Sequence, residues 1–113
     1  MNIQGKNYYT TFDFTQAEIK YLIDFAIKLK KGKIKKSLSG KTLAMLFFNP
    51  SIRTRMSFVV GMQKLDGLAV DLPIKDNYTF EFEDGAVMDK GTIEHVKDAA
   101  RVLSRYCDAI AIR

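Results

Sequence analysis

The residues with the clearest chemical potential lie in the stretch NPSIRTRMSF, residues 49–58. Arg53 and Arg55 flank Thr54, and Ser51 lies two positions before Arg53. Guanidinium donors beside hydroxyls and free backbone N–H groups are what a phosphate group requires. The alternative interpretation is an ordinary helix N-terminus that is capped by Ser51 and has its arginines in solvent. The stretch is therefore a candidate phosphate site, and its position in the fold must decide between the two interpretations.

The segments around this stretch predict strands that alternate with helices. KTLAMLFFN at 41–49 predicts a strand buried on both faces, which is typical of a parallel sheet. After Pro50 the apolar spacing becomes helical until Asp66-Gly67, and LAVDL at 68–72 and DAIAIR at 108–113 predict two further strands. This order indicates a parallel α/β sheet with right-handed crossovers. In such a sheet ligands bind beyond the carboxyl ends of the strands, which is where the arginine-containing stretch lies.

Two further helices and one long loop complete the predicted organisation. Thr15 and Glu18 form a capping box before a helix over about 16–31, which Gly32 ends. Thr92 is predicted to cap the third helix. The residues expected to face inward from that helix are Val96, Ala99, Ala100, Leu103 and Tyr106. Residues 73–91 show no clear period, and loops of this length are often functional.

Charge and composition narrow the classes of partner. The net charge is +5, which favours anionic partners. Much of it lies in KLKKGKIKK at 28–36, which is either a solvated helix end or part of a basic nucleic-acid-binding module. No tyrosine is interleaved with these lysines, and no nucleic-acid motif accompanies them, so no nucleic-acid partner is expected.

Three features of the sequence limit the classes of protein and of site that remain. They are the cysteine content, the histidine content and the length of the apolar runs. The single cysteine, Cys107, precludes an internal disulfide and fits a reducing, cytoplasmic compartment. The longest apolar run, LAMLFF at 43–48, is too short to cross a bilayer, so no membrane association is expected. His95 has no Cys or His partner at metal-ligand spacing. The sequence thus predicts neither a metal nor a cofactor.

The segment FFNPSIRTRMSF resembles the carbamoyl-phosphate loop of the aspartate/ornithine carbamoyltransferase family, whose pattern is Ser-x-Arg-Thr-Arg. The similarity extends over nearly the whole chain. EFEDGAVMD and RVLSRYCDAIAIR look most like the branch that acts on N-acetyl- or N-succinylornithine. The resemblance implies a three-layer α/β sandwich with a mostly parallel sheet. It also implies transfer of the carbamoyl group to the δ-amino group of an N-acyl-L-ornithine, in arginine biosynthesis, with free ornithine as the alternative acceptor.

The resemblance also implies roles for individual residues. Ser51, Ile52, Arg53 and Thr54 match the loop that holds the phosphate of carbamoyl phosphate, with Ile52 acting through its backbone. Arg113 matches an arginine that reaches the carbamoyl oxygen and the phosphate, so Arg53 and Arg113 form the predicted catalytic set. The alternative for Arg113 is a frayed terminus. Arg55 matches a mainly structural arginine and is left out of that set, and Val59 replaces a frequent Glu.

Two residues near the long loop are predicted to select and enclose the substrate. Tyr78 falls where the N-acylornithine branch has a tryptophan, on a loop that closes the site of a neighbouring subunit. Its alternative is an ordinary surface aromatic residue. Ile93 falls where N-acetylornithine enzymes carry Glu and N-succinylornithine enzymes carry Pro. Ile93 therefore slightly favours a succinylated substrate, unless it merely packs under the third helix.

The resemblance further implies a homotrimer and a second domain beyond this chain. Residues 1–113 correspond to the carbamoyl-phosphate-binding domain, and the family's His-Pro-x-Gln and His-Cys-Leu-Pro segments belong to sequence beyond residue 113. The amino-acid-binding domain is therefore expected to be absent from this chain. The chain alone is expected to fold, to hold half of a site and to lack turnover.

Overall fold

The computed structural model describes residues 2–74, 78–88 and 91–113. The chain divides into two compact units, Met1–Lys36 and Ser37–Arg113. Of the long loop predicted over 73–91, residues 75–77 and 89–90 lie outside the described part.

The smaller unit is built on helix α1 (Gln16–Lys30), which follows a short 3-10 helix at Thr11–Asp13. The predicted capping box is confirmed. The Thr15 hydroxyl accepts a hydrogen bond from the backbone N–H of Glu18, and the Glu18 carboxylate accepts from that of Thr15. Gly32 ends the helix with a φ of +67°, a left-handed conformation that glycine adopts without steric cost.

The larger unit contains a three-stranded parallel sheet. Its elements in chain order are β1 (Thr42–Phe47), α2 (Ile52–Lys64), β2 (Leu68–Pro73), β3 (Phe80–Glu81), β4 (Glu94–His95), α3 (Val96–Tyr106) and β5 (Ala109–Ile112). The sheet order is β2-β1-β5, so β1 is the central strand. The three strands and their parallel arrangement are as the sequence predicts.

Two hydrophobic clusters, one on each face of the sheet, explain why β1 is apolar from Leu43 to Phe47. Ala44 and Leu46 pack with Ala99 and Leu103 of α3 on one face. Leu43, Met45 and Phe47 pack with Val59 and Met62 of α2 on the other. Every residue from Leu43 to Phe47 is buried. The larger unit is therefore a three-layer arrangement of helix, sheet and helix, as expected.

The turn after α2 is formed by Asp66 and Gly67, as predicted. Asp66 has a φ of +62°, and the backbone N–H of Gly67 donates to the carbonyl of Met62 at 2.8 Å. A Cβ atom on Gly67 would lie 2.7 Å from the Met62 Cε and 3.1 Å from the Leu38 Cβ. A larger residue would require the Met62 and Leu38 side chains to shift, so glycine suits the direct turn from α2 into β2.

The predicted start of the third helix is wrong. Helix α3 begins at Val96, and its N-cap is His95, whose side chain accepts from the backbone N–H of Lys97. Thr92 precedes that cap because the intervening residues stay extended. The N–H of Ile93 donates to the carbonyl of Thr79 at 2.9 Å, and β4 pairs in parallel with β3. Pairing with the long loop thus displaces the helix start.

The inward face of α3 is also narrower than the periodicity predicts. Ala99 is buried, and Val96 and Leu103 pack against the same cluster, as expected. Ala100 is exposed, and 77% of Tyr106 is exposed. A single helix on one face of a three-stranded sheet buries one narrow stripe, so residues at the edge of the apolar pattern remain in solvent.

Candidate functional site

The guanidinium of Arg113 contacts both hydroxyl residues of the arginine-containing stretch. Its Nη1 donates to the Ser51 Oγ at 2.7 Å and to the Thr54 Oγ1 at 2.8 Å. Ser51 is buried and is the N-cap residue of α2, but its hydroxyl makes no capping hydrogen bond to that helix. The capping interpretation of Ser51 therefore fails for its side chain, which is bonded to the end of another strand instead.

Parallel pairing places Arg113 at this position. Ala111 and Ile112 pair with Met45 and Leu46, so the carboxyl ends of β5 and β1 lie at the same edge of the sheet. The backbone of Arg113 continues that ladder. Its N–H donates to the carbonyl of Leu46 at 3.1 Å, and its carbonyl accepts from the N–H of Phe48 at 2.7 Å. The frayed-terminus alternative for Arg113 does not hold.

The contact of Arg113 with Ser51 and Thr54 leaves hydrogen-bond donors available near the N-terminus of α2. A guanidinium has only donors, so Ser51 and Thr54 use their oxygen lone pairs toward Arg113 and keep their hydroxyl protons. Within the described part of the chain, neither proton is donated to another group. The first N–H groups of α2 have no acceptor within the helix, and the helix dipole favours an anion there. Hydroxyls, backbone N–H groups and a guanidinium converge as an anion site requires.

Arg53 and Ile52 lie in the first turn of α2 and face solvent. The side chain of Ile52 is 83% exposed, so it offers this site its backbone N–H and no packing. Arg53 is exposed, and no hydrogen bond or ion pair joins its guanidinium to another described residue. Its five N–H donors are therefore available to a ligand.

Arg55 has a different environment from Arg53. Its Nε lies 2.8 Å from the Asp71 Oδ2 on β2, and its guanidinium lies 5.2 Å from the centre of the Phe47 ring. Val59 packs in the cluster on that face of the sheet. Asp71 supplies the carboxylate partner of Arg55. Arg55 joins α2 to the sheet.

Tyr78 and Ile93 are brought together on the short β3–β4 pair. The Thr79 carbonyl accepts from the N–H of Ile93, and the Tyr78 hydroxyl donates to the Glu94 Oε2 at 2.7 Å. The hydrogen bond to Glu94 raises the pKa of Tyr78 above its ordinary value of 10.0. Ile93 is 55% exposed and precedes the first turn of α3, which begins at Val96.

An aromatic cluster connects this segment to the residue after β1. The Phe48 ring centre lies 6.0 Å from that of Phe80 and 6.2 Å from that of Phe82, and Tyr78 meets Phe80 edge-on at 5.2 Å. Phe48 also donates its N–H to Arg113. Because Phe48 directly precedes the arginine-containing stretch, it joins the two groups of candidate residues through its backbone and its ring.

A cavity of about 350 Å³ lies under the Tyr78–Glu94 contact, between α3 and the sheet. It is lined by apolar side chains, with the Tyr78 and Glu94 side chains as polar groups, and the apolar ones are Leu46, Leu72, Ile74, Phe80, Ala99, Val102 and Leu103. The carboxylate of Glu94 therefore meets an apolar wall on one side and a phenol on the other.

Sequence reasoning missed Phe48 and Glu94. Phe48 belongs to an apolar run that predicts a buried strand. A phenylalanine in such a run is expected to lie in the core, and its residue type does not show that its ring contacts the β3 segment. Glu94 lies beside Ile93, and only the pairing of β3 with β4 shows that Tyr78 is its neighbour. That pairing spans a loop with no periodicity, so no local signal was available.

The remaining described residues do not form a metal site, a membrane span or an aromatic–lysine surface. No group of three or more His, Cys, Asp or Glu among the described residues is arranged to hold a metal ion. No helix in the described ranges is long and apolar enough to cross a membrane. The six lysines of 28–36 are all exposed, and the Tyr21 ring stacks on Phe25 rather than between lysines.

Comparison with known protein families identifies the family of this chain. Residues 6–113 match the family described as aspartate/ornithine carbamoyltransferase, carbamoyl-P binding domain. An N-acetylornithine carbamoyltransferase of Xanthomonas campestris pv. campestris is 46% identical over 109 residues, which are 96% of this chain and 32% of the relative. An ornithine carbamoyltransferase of Anoxybacillus flavithermus is 43% identical over 117 residues, covering 100% and 34%. The chain thus spans about a third of the length of these relatives.

Solved structures give the same result. An N-acetyl-L-ornithine transcarbamylase variant, with a glutamate replaced by valine and complexed with carbamyl phosphate and N-succinyl-L-norvaline, has a TM-score of 0.88 and 46% identity. The matched part is 96% of this chain and 33% of that one. An acetylornithine transcarbamylase complexed with acetylcitrulline has the same TM-score, identity and coverage. With its sheet, its arginine-containing stretch and these matches, the chain belongs to the aspartate/ornithine carbamoyltransferase family and contains its carbamoyl-phosphate-binding domain.

Proposed function

We propose that this chain supplies the carbamoyl-phosphate half-site of a carbamoyltransferase that acts on an N-acyl-L-ornithine in arginine biosynthesis. The observation that carries the proposal is the contact of Arg113 with the Ser51 and Thr54 hydroxyls at the N-terminus of α2. It brings Arg113 to two sequence candidates that lie 62 and 59 positions earlier in the chain. The free guanidinium of Arg53 in the same helical turn adds the charge that a phosphate dianion needs.

In the proposed reaction the δ-amino group of the acceptor attacks the carbonyl carbon of carbamoyl phosphate. A new C–N bond forms, the bond from carbon to the phosphate oxygen breaks, and phosphate leaves with the electron pair. The nitrogen loses a proton and an N-acylcitrulline results. Arg53, Ser51 and Thr54 hold the phosphate, while Arg113 also reaches toward the carbamoyl oxygen. Fixed donors of this kind stabilise the developing negative charge and orient the reactants.

The identity of the substrate that accepts the carbamoyl group is the more specific part of the proposal. Relatives of similar identity act on N-acetylornithine and on ornithine, so the match alone does not choose between them. Resemblance of EFEDGAVMD and of the last strand to the N-acyl branch favours an acylated acceptor. Within that branch, Ile93 stands where N-acetylornithine enzymes carry Glu, and its half-exposed side chain brings no negative charge.

Ile93 favours the succinyl group over the acetyl group by a charge argument. Succinyl ends in a carboxylate, and two anions about 4 Å apart repel by roughly 1 to 4 kcal/mol at a protein surface. Solved N-acetyl-L-ornithine transcarbamylase variants that carry Val, Ser, Pro or Ala in place of a glutamate are complexed with N-succinyl-L-norvaline. We therefore propose N-succinyl-L-ornithine as the slightly preferred acceptor, with N-acetyl-L-ornithine second.

We further propose that the protein works as a homotrimer in which Tyr78 closes the site of a neighbouring subunit. The support is the family resemblance of the loop and the position of Tyr78, which is 38% exposed. The second domain would supply the remaining contacts to the acceptor, so the chain alone is expected to bind phosphate and to show no turnover.

Calorimetric titration of the 113-residue chain with inorganic phosphate and with carbamoyl phosphate tests the half-site. We expect binding of both ligands and a loss on the order of 10-fold in Ser51→Ala, because a hydrogen bond to a charged group is removed. Ser57→Ala is the matched control, since the Ser57 hydroxyl donates to the Thr54 carbonyl, whereas the Ser51 hydroxyl accepts from Arg113. Absence of phosphate binding, or equal binding by Ser51→Ala, would refute the half-site.

Turnover is tested in an extended protein, defined as this chain followed by the part of the Xanthomonas campestris relative that lies beyond the matched region. It is expected to form an N-acylcitrulline from carbamoyl phosphate and an N-acylornithine, whereas the chain alone is not. Conversion of free ornithine at the higher rate would favour the alternative acceptor.

A further inference from the structure

Strand β5 brings Arg113 to the candidate anion site, yet packing holds this strand only in its middle. Among the described strands it pairs with β1 alone, over its 4 residues. Its first and last residues, Ala109 and Ile112, are exposed, and those between them are only partly buried. A strand that slips by one residue moves about 3.3 Å and turns every side chain to the opposite face of the sheet. The position of Arg113 therefore depends on what fixes the register of β5.

Asp108, the residue directly before β5, binds the start of β1 through its carboxylate. The Asp108 Oδ2 accepts from the backbone N–H of Thr42 at 2.9 Å, and the Oδ1 accepts from the Lys41 Nζ at 2.7 Å. The backbone N–H of Asp108 donates to the Thr42 carbonyl at 2.9 Å. Both backbone groups of Thr42 are thus bonded to Asp108, one of them through a side chain. A slip of β5 by one residue would break these bonds, so Asp108 specifies one register.

The same strand leads from Asp108 to the guanidinium that contacts the hydroxyls. Arg113 follows β5 directly, and its Nη1 donates to Ser51 and Thr54. A rise of about 3.3 Å per residue separates Asp108 from Arg113 by about 16 Å along the strand. The Asp108 carboxylate therefore cannot touch a ligand at the hydroxyls, and any effect it has there must pass through the register of β5.

We infer that Asp108 is a positioning residue whose bond to the Thr42 N–H sets the register of β5 and thereby holds the Arg113 guanidinium at the candidate anion site. This inference rests on the proposed function, in which Arg113 binds carbamoyl phosphate. The ion pair with Lys41 is the lesser part of the contact, because both side chains are partly exposed and exposed ion pairs contribute little.

The affinity for inorganic phosphate tests the inference in the 113-residue chain. In Asp108→Ala the dissociation constant is expected to rise on the order of 3- to 10-fold, less than in Arg113→Ala, since backbone bonds still hold β5. Removal of an aspartate makes the chain more positive, which by itself would strengthen phosphate binding. Asp98→Ala is the matched control, because it removes another exposed aspartate, whose ion pair with Arg101 spans 3.2 Å, and it should not weaken binding.

Two further variants separate positioning from stability. Asp108→Asn also removes the charge but keeps an oxygen that can accept from the Thr42 N–H, so it should bind phosphate nearly as the original chain does. Asp108→Ala combined with Arg113→Ala should bind no more weakly than Arg113→Ala alone, because no guanidinium remains to be positioned. A role in stability alone would lower the midpoint of thermal unfolding and leave the affinity of the folded chain unchanged. Affinities are measured by NMR titration, which covers weak binding, at a temperature where circular dichroism shows each variant folded.

Hydrogen exchange reports the register of β5 without any ligand. The N–H groups of Arg113 and Phe48 both take part in the backbone bonds that continue the β1–β5 ladder. Both should exchange faster in Asp108→Ala and stay protected in Asp108→Asn. The N–H of Gly67, which is bonded at the end of α2, is the reference and should exchange equally in all variants.

The outcomes are distinct from failure of the proposed function. Absence of phosphate binding by the original chain would remove the half-site and this inference with it. With phosphate binding intact, unchanged affinity in Asp108→Ala would overturn the inference alone. So would binding by Asp108→Asn that is as weak as that of Asp108→Ala, or an equal further loss on top of Arg113→Ala. If Asp108→Ala does not fold, Asp108→Ser takes its place, and failure of both to fold would assign Asp108 to stability and overturn the inference.

Discussion

Arg113 and Ser51 lie 62 positions apart in the chain, yet the Arg113 Nη1 is 2.7 Å from the Ser51 Oγ. The two residues stand at the ends of neighbouring parallel strands, one directly after β5 and one in the connection from β1 to α2. The hydrogen bond places a guanidinium beside the N-terminus of α2 and makes it a candidate anion site.

Removal of the Arg113 guanidinium should weaken phosphate binding more than it affects folding. Arg113→Ala is expected to raise the dissociation constant of inorganic phosphate about 10- to 150-fold, which corresponds to the roughly 1.5 to 3 kcal/mol of a charge-assisted hydrogen bond. Arg113→Lys should recover only part of this, because one ammonium lacks the planar fork of donors. Calorimetry measures the affinity. Equal affinity in Arg113→Ala would mean that the residue only bridges two hydroxyls.

Arg53 and Arg55 form a matched pair with opposite expected effects. Arg53→Ala should abolish measurable phosphate binding and leave the thermal midpoint of unfolding nearly unchanged, since its side chain is exposed and unbonded within the described part of the chain. Arg55→Ala should leave the intrinsic phosphate affinity within a few-fold. It should lower the free energy of unfolding by about 1 to 2 kcal/mol, because it loses a partly exposed ion pair and a cation–π contact. Reversed results would exchange the roles assigned to the two arginines.

Acid should destabilise the smaller unit through Glu18. The hydrogen bond from Lys6, followed by that from the Thr15 backbone, lowers the pKa of Glu18 from 4.5 to about 2. A carboxyl whose pKa is lower in the folded state stabilises that state above pH 4.5, and the contribution is lost as the pH falls toward 2. Helix content followed by circular dichroism between those values should decline more steeply in the original chain than in Glu18→Gln. Identical acid profiles would show that Glu18 contributes nothing.

The acyl preference should reverse when a carboxylate is introduced at position 93. In the extended protein, Ile93→Glu is expected to lower the rate with N-succinyl-L-ornithine at least several-fold and to spare the rate with N-acetyl-L-ornithine. The reason is repulsion between the new carboxylate and the succinyl carboxylate. Ile93→Gln is the uncharged control of similar size and should behave like the original. An unaffected succinyl rate in Ile93→Glu, or an original protein that prefers the acetyl substrate, would refute the charge argument.

Sharing of Tyr78 between subunits can be tested with hybrids of the extended protein. Tyr78→Ala and Arg53→Ala are each expected to be nearly inactive alone. Mixed under conditions in which subunits exchange, they should regain part of the activity, because some sites then combine an intact Tyr78 from one subunit with an intact Arg53 from another. Exchange is verified by mass, and persistent inactivity of exchanged hybrids would place both residues in the same subunit.

The sequence by itself determined the three strands of the main sheet, the class of fold and the candidate anion-binding stretch. A run such as TLAMLF is typical of a central strand of a parallel sheet, which is buried on both faces. Thr15, Gly32 and Gly67 mark helix ends through local backbone chemistry. The types and spacing of Ser51, Arg53 and Thr54 indicate a phosphate site without any knowledge of distant residues.

Only the tertiary structure decided which distant residues meet. The hydroxyl of Ser51 is equally suited to cap its own helix or to accept from Arg113, and strand register chose the second. Thr92 has the chemistry of a helix cap, but pairing of β4 with β3 keeps the chain extended as far as His95. The same pairing places Glu94 against Tyr78 across a loop that carries no periodic signal. Local preferences of about 1 kcal/mol decide where helices can begin, whereas contacts between residues far apart in the chain are fixed by sheet register and packing.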